Sequence, residues 1–227
     1  MIEDKIVISL GGSLIIPEEI DVEFLKEFRD LILSKISEGK KFVIITGGGK
    51  ICRKYNKAAE EISSVENDEL DWLGIYSTRF NAEFLKVLFG QNVSKDIIVN
   101  PNLPLLFDKS IIVGGGWKPG NSTDLVATLI AKNVGAKTVI NLSNTDYVYD
   151  KDPNKNADAK KIEKISWAEY RALIPAEWNP GLNSPFDPIA SKMAQEEGMT
   201  VMTMNGKPIN NLANALEGKD FQGTTIH

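Results

Sequence analysis

Three short apolar segments of the sequence end in glycines. They are VISLGGS with Gly11 and Gly12, VIITGGGK with Gly47, Gly48 and Gly49, and IIVGGGWKPG, whose glycines begin at Gly114. A glycine lets a ligand approach the backbone closely, and a helix that begins behind it offers unpaired N–H groups and a positive dipole end. One such run is more typical of an ordinary strand-to-helix turn, but three at one sheet edge favour a shared anionic ligand rich in phosphate. None of them matches a P-loop or a G-x-G-x-x-G dinucleotide fingerprint.

Apolar segments alternate with helix-like segments along the whole chain. Continuously apolar strands separated by helices indicate a largely parallel sheet with both faces covered. We therefore predict an α/β fold, a three-layer αβα sandwich around a mostly parallel central sheet, in one domain over 1–227. Ligands of such sheets bind at the carboxyl ends of the strands, where the glycines lie. The predicted strands are 5–10, 41–46, 96–100, 110–115, 137–143 and 199–206, and the predicted helices are 18–39, one from about 50, 68–90, 122–136, 186–198 and 209–218.

The overall composition excludes several classes of protein. A formal net charge of −5 argues against broad binding of nucleic acid or of an anionic membrane surface. The single cysteine, Cys52, cannot form an internal disulfide, which fits a reducing compartment. The first residues carry acids where a signal peptide carries bases, and no apolar run reaches the ~18 residues of a membrane span. We expect a cytoplasmic protein without a nucleic-acid or membrane partner.

Several motifs in a fixed order give the chain a family resemblance from Ile6 to Ile226. The chain resembles the amino acid kinase superfamily, and within it the uridylate (UMP) kinases of the archaeal type. The motifs, in order, are LGGS, GGGKICRKY, DWLGIYSTRFNAEFL, GGGWKPGNSTDLVATLIA, NTDYVYDKDP, FDPIASKMA and QGTTI.

The resemblance implies an activity and a division of labour. It implies transfer of the γ-phosphoryl group of ATP to UMP, giving UDP for pyrimidine nucleotide biosynthesis, with Mg²⁺ held mainly by phosphates and no protein metal site. An amino-terminal lobe, about 1–115, would bind the acceptor and a carboxyl-terminal lobe, about 116–227, would bind ATP. It also implies a homo-oligomer, a hexamer built as a trimer of dimers.

The resemblance assigns four residues to catalysis. Gly11 and Gly12 would lie under the phosphoryl group, which suits a reaction that depends mostly on positioning and charge stabilisation. Asp146 would orient catalytic lysines, and Lys192 would reach the β- and γ-phosphates. An alternative interpretation of Lys192 is a solvated helix lysine.

Other residues are assigned to the two nucleotides. Arg53 occupies the phosphate-binding arginine position, where its planar fork can hold a phosphate bidentately, and Asp71 matches the position that binds the ribose of UMP. Either could instead be an ordinary exposed helix charge. Asp124 either does no more than cap the next helix or has a further role in the site. The remaining UMP contacts are Gly47, Gly114, Gly115, Gly116, Gly120, Ser122 and Thr123. The ATP contacts are Ser13, Gly48, Ser143, Asn144, Tyr149 and Asp152.

Two residues depart from the family pattern. Ser9 stands where most of the superfamily has a lysine that stabilises the migrating phosphoryl group, and losing such a charge can cost ~2.7–4 kcal/mol. Lys50, Lys54 or Mg²⁺ could compensate for it. Tyr147 stands where the family motif has glycine, so we expect either backbone strain of order 1 kcal/mol or a new contact with the adenine.

These departures leave three hypotheses open. The first is the UMP kinase. The second is a kinase of the same fold with another acceptor, although the glycine loop lacks the histidine usual in isopentenyl phosphate kinases and Ser9 replaces the lysine expected in acetylglutamate kinase. The third is a nucleotide-binding homologue with weakened chemistry.

The aromatic residues of 68–90, namely Trp72, Tyr76, Phe80 and Phe84, could form a dimer surface, although core packing is commoner for such a stripe.

Overall fold

The computed structural model describes residues 5–153, 155–175 and 184–227. A central sheet of seven strands runs through this part of the chain, and a two-stranded sheet lies beside it. The strands of the chain, in order, are β1 Lys5–Leu10, β2 Lys41–Thr46, β3 Ile111–Gly114, β4 Thr138–Ser143, β5 Val148–Tyr149, β6 Lys161–Ile162, β7 Lys164–Ile165, β8 Thr200–Asn205 and β9 Thr224–Ile226.

The central sheet is mostly parallel, as predicted. Its strand order is β3-β2-β1-β4-β8-β9-β7, and only β9 runs antiparallel to its neighbour β8. β1 lies inside the sheet, paired with β2 at Ser9↔Ile45 and with β4 at Ser9↔Asn141. The carboxyl ends of β1, β2, β3 and β4 therefore meet at one edge. Pairing of β1 with β4 also makes one continuous sheet of the two halves of the chain.

Helices cover both faces of this sheet. They are α1 Gly12–Ile15, α2 Val22–Ser37, α3 Gly49–Ile62, α4 Asn67–Phe89, α5 Thr123–Val134, α6 Trp167–Leu173, α7 Pro188–Glu196 and α8 Ile209–Leu216, with a 3-10 turn at Gly90–Asn92. Side chains of α2, α4 and α8 form one buried cluster against the sheet, and side chains of α5, α6 and α7 form a second on the opposite face. Side chains alternate along β1, so that Ile6 and Ile8 belong to the first cluster and Val7 to the second. Both helix layers therefore pack against the same strand.

Local sequence signals explain where the helices around the site begin and end. Ser122 caps α5 by accepting a hydrogen bond from the Leu125 amide, and Gly135 ends this helix at a φ of 74°. Asp187 caps α7 in the same way, with Pro188 at the first helical position. In the described residues, no helix is long and apolar enough to cross a bilayer.

Some predicted elements differ from the structure. The strand predicted at 96–100 is wrong, because only Ile98 forms a single bridge there, to Gly114. The predicted helix 18–39 starts later, at Val22, because Asp21 caps it. The short elements α1, β5, β6, β7, β9 and α6 were not predicted, since segments of two to seven residues are too short to show a clear period.

Candidate functional site

The first two glycine runs touch each other through their backbones. A Cβ atom added to Gly12 would lie 1.9 Å from the nitrogen of Gly49, and one added to Gly47 would lie 2.4 Å from the nitrogen of Gly12. Gly49 has a φ of 70°, which side chains rarely adopt. These glycines therefore allow the ends of β1 and β2 to pack with no side chain between them.

Helix α4 holds the glycine ends in place. Asn81 donates from Nδ2 to the Gly47 carbonyl at 2.7 Å, and the amide of Gly116 donates to Thr78 Oγ1 at 2.6 Å. Thr46, at the end of β2, donates from its hydroxyl to the Thr78 carbonyl at 2.8 Å. Asn81 and Thr78 are both buried, so these bonds are shielded from water.

Arg79 attaches the third glycine loop to the same helix. Its guanidinium donates from Nε to the Gly116 carbonyl at 3.1 Å and from Nη2 to the Trp117 carbonyl at 2.8 Å. It also lies 5.9 Å from the ring centres of Trp72 and Tyr76. No motif in the sequence predicted Arg79; its position one residue after Thr78, on the helix that carries Asp71, is the signal that could have indicated it.

A cavity of about 130 Å³ opens between α3, α4 and this loop. Of the predicted UMP contacts, Asp71, Gly116 and Thr123 line it, and so does Gly48, which was predicted to bind ATP. Asp71 Oδ2 accepts a hydrogen bond from the Gly120 amide at 2.8 Å, so the carboxylate and the turn face each other. The other lining residues are Cys52, Gly74, Ile75, Thr78, Lys118 and Asn121. The spacing of Asp71, Ile75 and Thr78 on one helix face is the signal that identifies part of this set.

The remaining predicted UMP residues lie around this cavity without lining it. Arg53 follows Cys52 in α3 and is exposed. Ser122 Oγ accepts a hydrogen bond from the Leu125 amide as the cap of α5. Gly114 and Gly115 pack against Ile98 and Thr78, where a Cβ would lie 2.7 Å from each neighbour. Gly47 carries the carbonyl bound by Asn81, and Gly120 turns at a φ of 75°.

A second cavity, of about 450 Å³, lies at the end of β4. It brings together four predicted ATP contacts, Ser143, Asn144, Tyr149 and Asp152. One predicted ATP contact, Ser13 in the first turn of α1, lies outside both cavities. The second cavity is further lined by Thr145, Tyr147, Val148, Asp150, Lys151, Pro153, Lys155, Leu173, Ile174, Pro175, Ser184 and Pro185. These include apolar residues of α6 and beyond that no motif had indicated.

The glycine ends connect the two cavities. The amide of Gly11 donates to the Leu142 carbonyl at 2.7 Å, and a Cβ on Gly11 would lie 3.4 Å from the Cα of Ser143, which lines the larger cavity. Gly12 touches Gly49, next to Gly48 of the smaller cavity. A bare stretch of backbone thus runs from one cavity to the other. The first amides of α1 and α3, which have no acceptor within their own helix, lie along it.

Ser9 and Asp124 lie below this bare backbone. The Ser9 hydroxyl donates to Asp124 Oδ1 at 2.9 Å, and the Asp187 amide donates to Oδ2 at 3.3 Å. Burial raises the pKa of Asp124 to about 6, and the nearby Asp187 carboxylate adds to this, while the Ser9 hydrogen bond opposes it. Burial also raises the pKa of Asp187. The interpretation of Asp124 as only a helix cap is wrong, because Ser122 is the cap of α5.

Two predicted catalytic residues have other partners. Asp146 is exposed and accepts a hydrogen bond from Asn205 Nδ2 at 2.8 Å. Lys192 is exposed on α7, with its Nζ 3.9 Å from Glu196 Oε1. Their assigned roles stay predictions.

The two lysines considered as substitutes for the missing charge lie beside the glycines. Lys50 directly follows Gly49, and its Nζ is hydrogen-bonded to Glu18. Lys54 is 3.9 Å from Glu19. Lys50 is thus positioned at the amino end of α3, paired with an acid from the segment after α1.

Tyr147 is not strained, since none of the described residues other than glycine has a positive φ.

A protein-family model decides the family of the chain. The model of the amino acid kinase family matches residues 4–205. The chain belongs to the amino acid kinase family. The predicted fold and family are both confirmed.

Relatives within this family cover the chain almost completely. The uridylate kinase of Thermoplasma volcanium is 36% identical over 98% of this chain and 97% of that protein. The uridylate kinase of Pyrococcus abyssi is 33% identical over 98% of this chain and 99% of that protein. Among solved structures, uridylate kinase from Archaeoglobus fulgidus has a TM-score of 0.83 at 30% identity, covering 98% of this chain and 100% of that one.

Proposed function

We propose that this protein is an ATP-dependent UMP kinase, which transfers the γ-phosphoryl group of ATP to UMP. The observation that carries the proposal is the pair of cavities joined by glycine backbone, since a phosphotransferase needs two nucleotide sites that meet at the reacting phosphates. The full-length similarity to uridylate kinases supports UMP as the acceptor.

The larger cavity would take the ATP and the smaller one the UMP. The larger, at about 450 Å³, lies beside Ser143 and Gly11, on the side of the carboxyl-terminal half. The smaller takes lining residues from both halves, Asp71 and Gly116 among them. We therefore assign the donor to the carboxyl-terminal lobe, and the acceptor to a site that also needs the loop after β3.

The chemistry is an in-line displacement at the γ-phosphorus. An oxygen of the UMP phosphate forms the new P–O bond as the bond to the β-phosphate oxygen breaks, which releases UDP and ADP. The bare backbone at Gly11, Gly12 and Gly48 would let the phosphates approach the amides that begin α1 and α3. We assign to Lys50, at the start of α3, the positive charge that Ser9 cannot supply. For this role its ammonium would leave Glu18 and bind the phosphate.

Mg²⁺ would neutralise charge on the phosphates of ATP. The described residues contain no group of three or more histidine, cysteine or acidic side chains that could hold a metal ion. We therefore assign the ion mainly to phosphate oxygens.

A coupled assay tests the proposal directly. The protein with Mg²⁺ and ATP is given UMP, CMP, AMP or GMP at millimolar concentration, and formation of the corresponding nucleoside diphosphate is measured. We expect turnover with UMP. If UMP is not phosphorylated while another acceptor is, the proposed acceptor is wrong.

The position of Ser9 favours one further candidate function, a nucleotide-binding protein with weakened chemistry. Ser9 is 2% exposed and bonds to a carboxylate, so it supplies no positive charge to the site. If ATP and UMP both raise the melting temperature but no UDP forms, and Ser9→Lys gains turnover, this second function replaces the first.

We also propose a cytoplasmic homo-oligomer that serves pyrimidine nucleotide synthesis. Trp72, Tyr76 and Phe80 of α4 are 38%, 61% and 75% exposed, whereas Phe84 packs against the core. Three exposed aromatic residues on one helix support an interface between copies, and a hexamer of three dimers is the assembly we expect. Light scattering tests it, with Phe80→Glu expected to lower the mass; a monomeric wild type would contradict it.

A further inference from the structure

Two tyrosines form one wall of the larger cavity. Tyr147 and Tyr149 both line it, with Val148 between them. Val148 is buried, and its amide donates to Thr224 Oγ1 at 2.8 Å. The buried Val148 thus anchors the segment that carries both tyrosines at the edge of the cavity.

The two rings are held in a defined arrangement. Their centres are 6.5 Å apart and their planes meet at 82°, so the edge of one ring meets the face of the other. β5 pairs with β6, which places Tyr149 opposite Lys161. Tyr149 is therefore part of a small sheet, and Tyr147 precedes its first strand by one residue.

Lys161 covers one face of Tyr147. Its Nζ lies 4.8 Å from the ring centre, and 2.9 Å from Glu163 Oε1. Glu163 raises the pKa of Lys161, which keeps the ammonium charged. Tyr147 lines the cavity, whereas Lys161 is not among the described residues that do so. Lys161 therefore holds the ring in place without lining the cavity itself.

The rest of the cavity suits a flat aromatic ligand. Leu173, Ile174, Pro175 and Pro185 contribute apolar surface, and Asn144 and Ser143 contribute polar groups near the end of β4. A planar base could lie against the tyrosine wall with its polar edge toward these groups. Stacking recognises any base by its π-face, and the gain increases with the area of the ring system.

We propose that Tyr147 supplies the stacking surface for the base of the nucleoside triphosphate donor, and that this surface makes the protein favour purine over pyrimidine donors. The proposal rests on the proposed function in one respect, the assignment of the larger cavity to the donor. It goes beyond that function because Tyr147 occupies a position where the family motif has no side chain to stack.

Equilibrium binding without an acceptor tests the proposal. Calorimetry measures the affinity of the protein for the non-hydrolysable β,γ-imido analogues of ATP and CTP and for tripolyphosphate, all with Mg²⁺. Tyr147→Ala is expected to lower the affinity for the ATP analogue about 5- to 50-fold, to lower the affinity for the CTP analogue less, and to leave the affinity for tripolyphosphate unchanged. Tyr147→Phe keeps the ring and should bind as the wild type does. Tyr55→Ala, at an exposed tyrosine of α3, is the matched control and should change nothing.

Several outcomes would overturn the proposal. Unchanged binding of the ATP analogue to Tyr147→Ala would do so, as would an equal loss for tripolyphosphate or an equal loss in Tyr147→Phe. Circular dichroism checks folding, and Tyr147→Leu, which retains apolar bulk, replaces the alanine variant if that one unfolds. It should lose affinity for the ATP analogue in the same way.

The same data separate this proposal from the proposed function. If the wild type binds the ATP analogue through Tyr147 but does not phosphorylate UMP, the acceptor assignment fails and the stacking surface stands. If UMP is phosphorylated but the tyrosine variants bind donors normally, only the stacking surface fails.

Discussion

The Ser9 hydroxyl donates a hydrogen bond to Asp124 Oδ1 at 2.9 Å, directly beneath the glycines that join the two cavities. Ser9 belongs to the central strand β1 and Asp124 to the first turn of α5, so this bond links the sheet to the helix that follows the third glycine loop. The second acid of the cluster, Asp187, has a buried Oδ2 with no hydrogen-bond partner among the described residues. Two buried acids and one hydroxyl make this a site where folding and proton binding are coupled.

The raised pKa of Asp124 predicts a pH-dependent cost of folding. The folded state holds the proton more tightly than the unfolded chain does, since burial raises the pKa from 3.8 to about 6. The cost is therefore absent below about pH 4, grows between about pH 4 and pH 6, and stays constant above that at no more than about 3 kcal/mol. Asp124→Asn removes the charge, and its amide can donate to Ser9 Oγ. We expect this variant to exceed the wild type in free energy of unfolding by about 1–3 kcal/mol at pH 8, with the difference vanishing near pH 4.

Urea unfolding from pH 4 to pH 8 measures this difference. Glu60→Gln changes an exposed acid of α3 and serves as the control, with no comparable trend. A difference between Asp124→Asn and the wild type that does not depend on pH would contradict the prediction.

Removing the Ser9 hydroxyl should move the titration of Asp124. The hydrogen bond from Ser9 lowers the pKa of Asp124, against the larger effect of burial. In Ser9→Ala the pKa should therefore rise further above 6, and a carbon-13 NMR titration of the aspartate carboxyl groups would detect it. Ser191→Ala is the matched control, because the buried Ser191 hydroxyl donates to the Asp187 carbonyl instead. A pKa that stays the same or falls in Ser9→Ala would be inconsistent with this account.

The parts of the fold and site that the sequence predicts are those with a period or a special residue. Continuous apolar strands between amphipathic helices indicated the parallel sheet, and glycine at the strand ends indicated where a ligand would bind. The segment at 96–100 misled because its apolar residues resemble a strand, although only Ile98 forms a bridge, to Gly114. Arg79 could not be assigned, since its partners are backbone carbonyls of a loop 37 and 38 residues away. Asp124 was ambiguous because a carboxylate after Ser122 fits a cap as well as a buried contact.

The contact between Gly12 and Gly49 predicts that even one methyl group is not tolerated there. A Cβ on Gly12 would lie 1.9 Å from a backbone nitrogen, so β1 and β2 would have to separate. We expect Gly12→Ala to lower the free energy of unfolding by about 3 kcal/mol or more. Gly74→Ala is the matched control. Its Cβ would lie 3.4 Å from Cys52 Sγ, and within α4 it should gain up to about 1 kcal/mol. Thermal unfolding of both variants tests this, and a Gly12→Ala protein as stable as the wild type would refute it.

The bonds of Arg79 predict a selective effect on the acceptor. Arg79→Ala removes two donors to the loop at Gly116 and Trp117, which shapes the smaller cavity, while the larger cavity contains no residue of α4. We expect KM for UMP to rise about 5- to 30-fold, which corresponds to about 1–2 kcal/mol, with KM for ATP nearly unchanged. Arg79→Lys keeps the charge but cannot reach both carbonyls, and should show part of the effect. Lys86→Ala removes a donor from the same helix to the Lys95 carbonyl, outside the site, and should leave both constants unchanged. Steady-state kinetics with each substrate varied in turn measures these values, and an equal rise in both KM values would mean that Arg79 supports the fold in general rather than the acceptor loop.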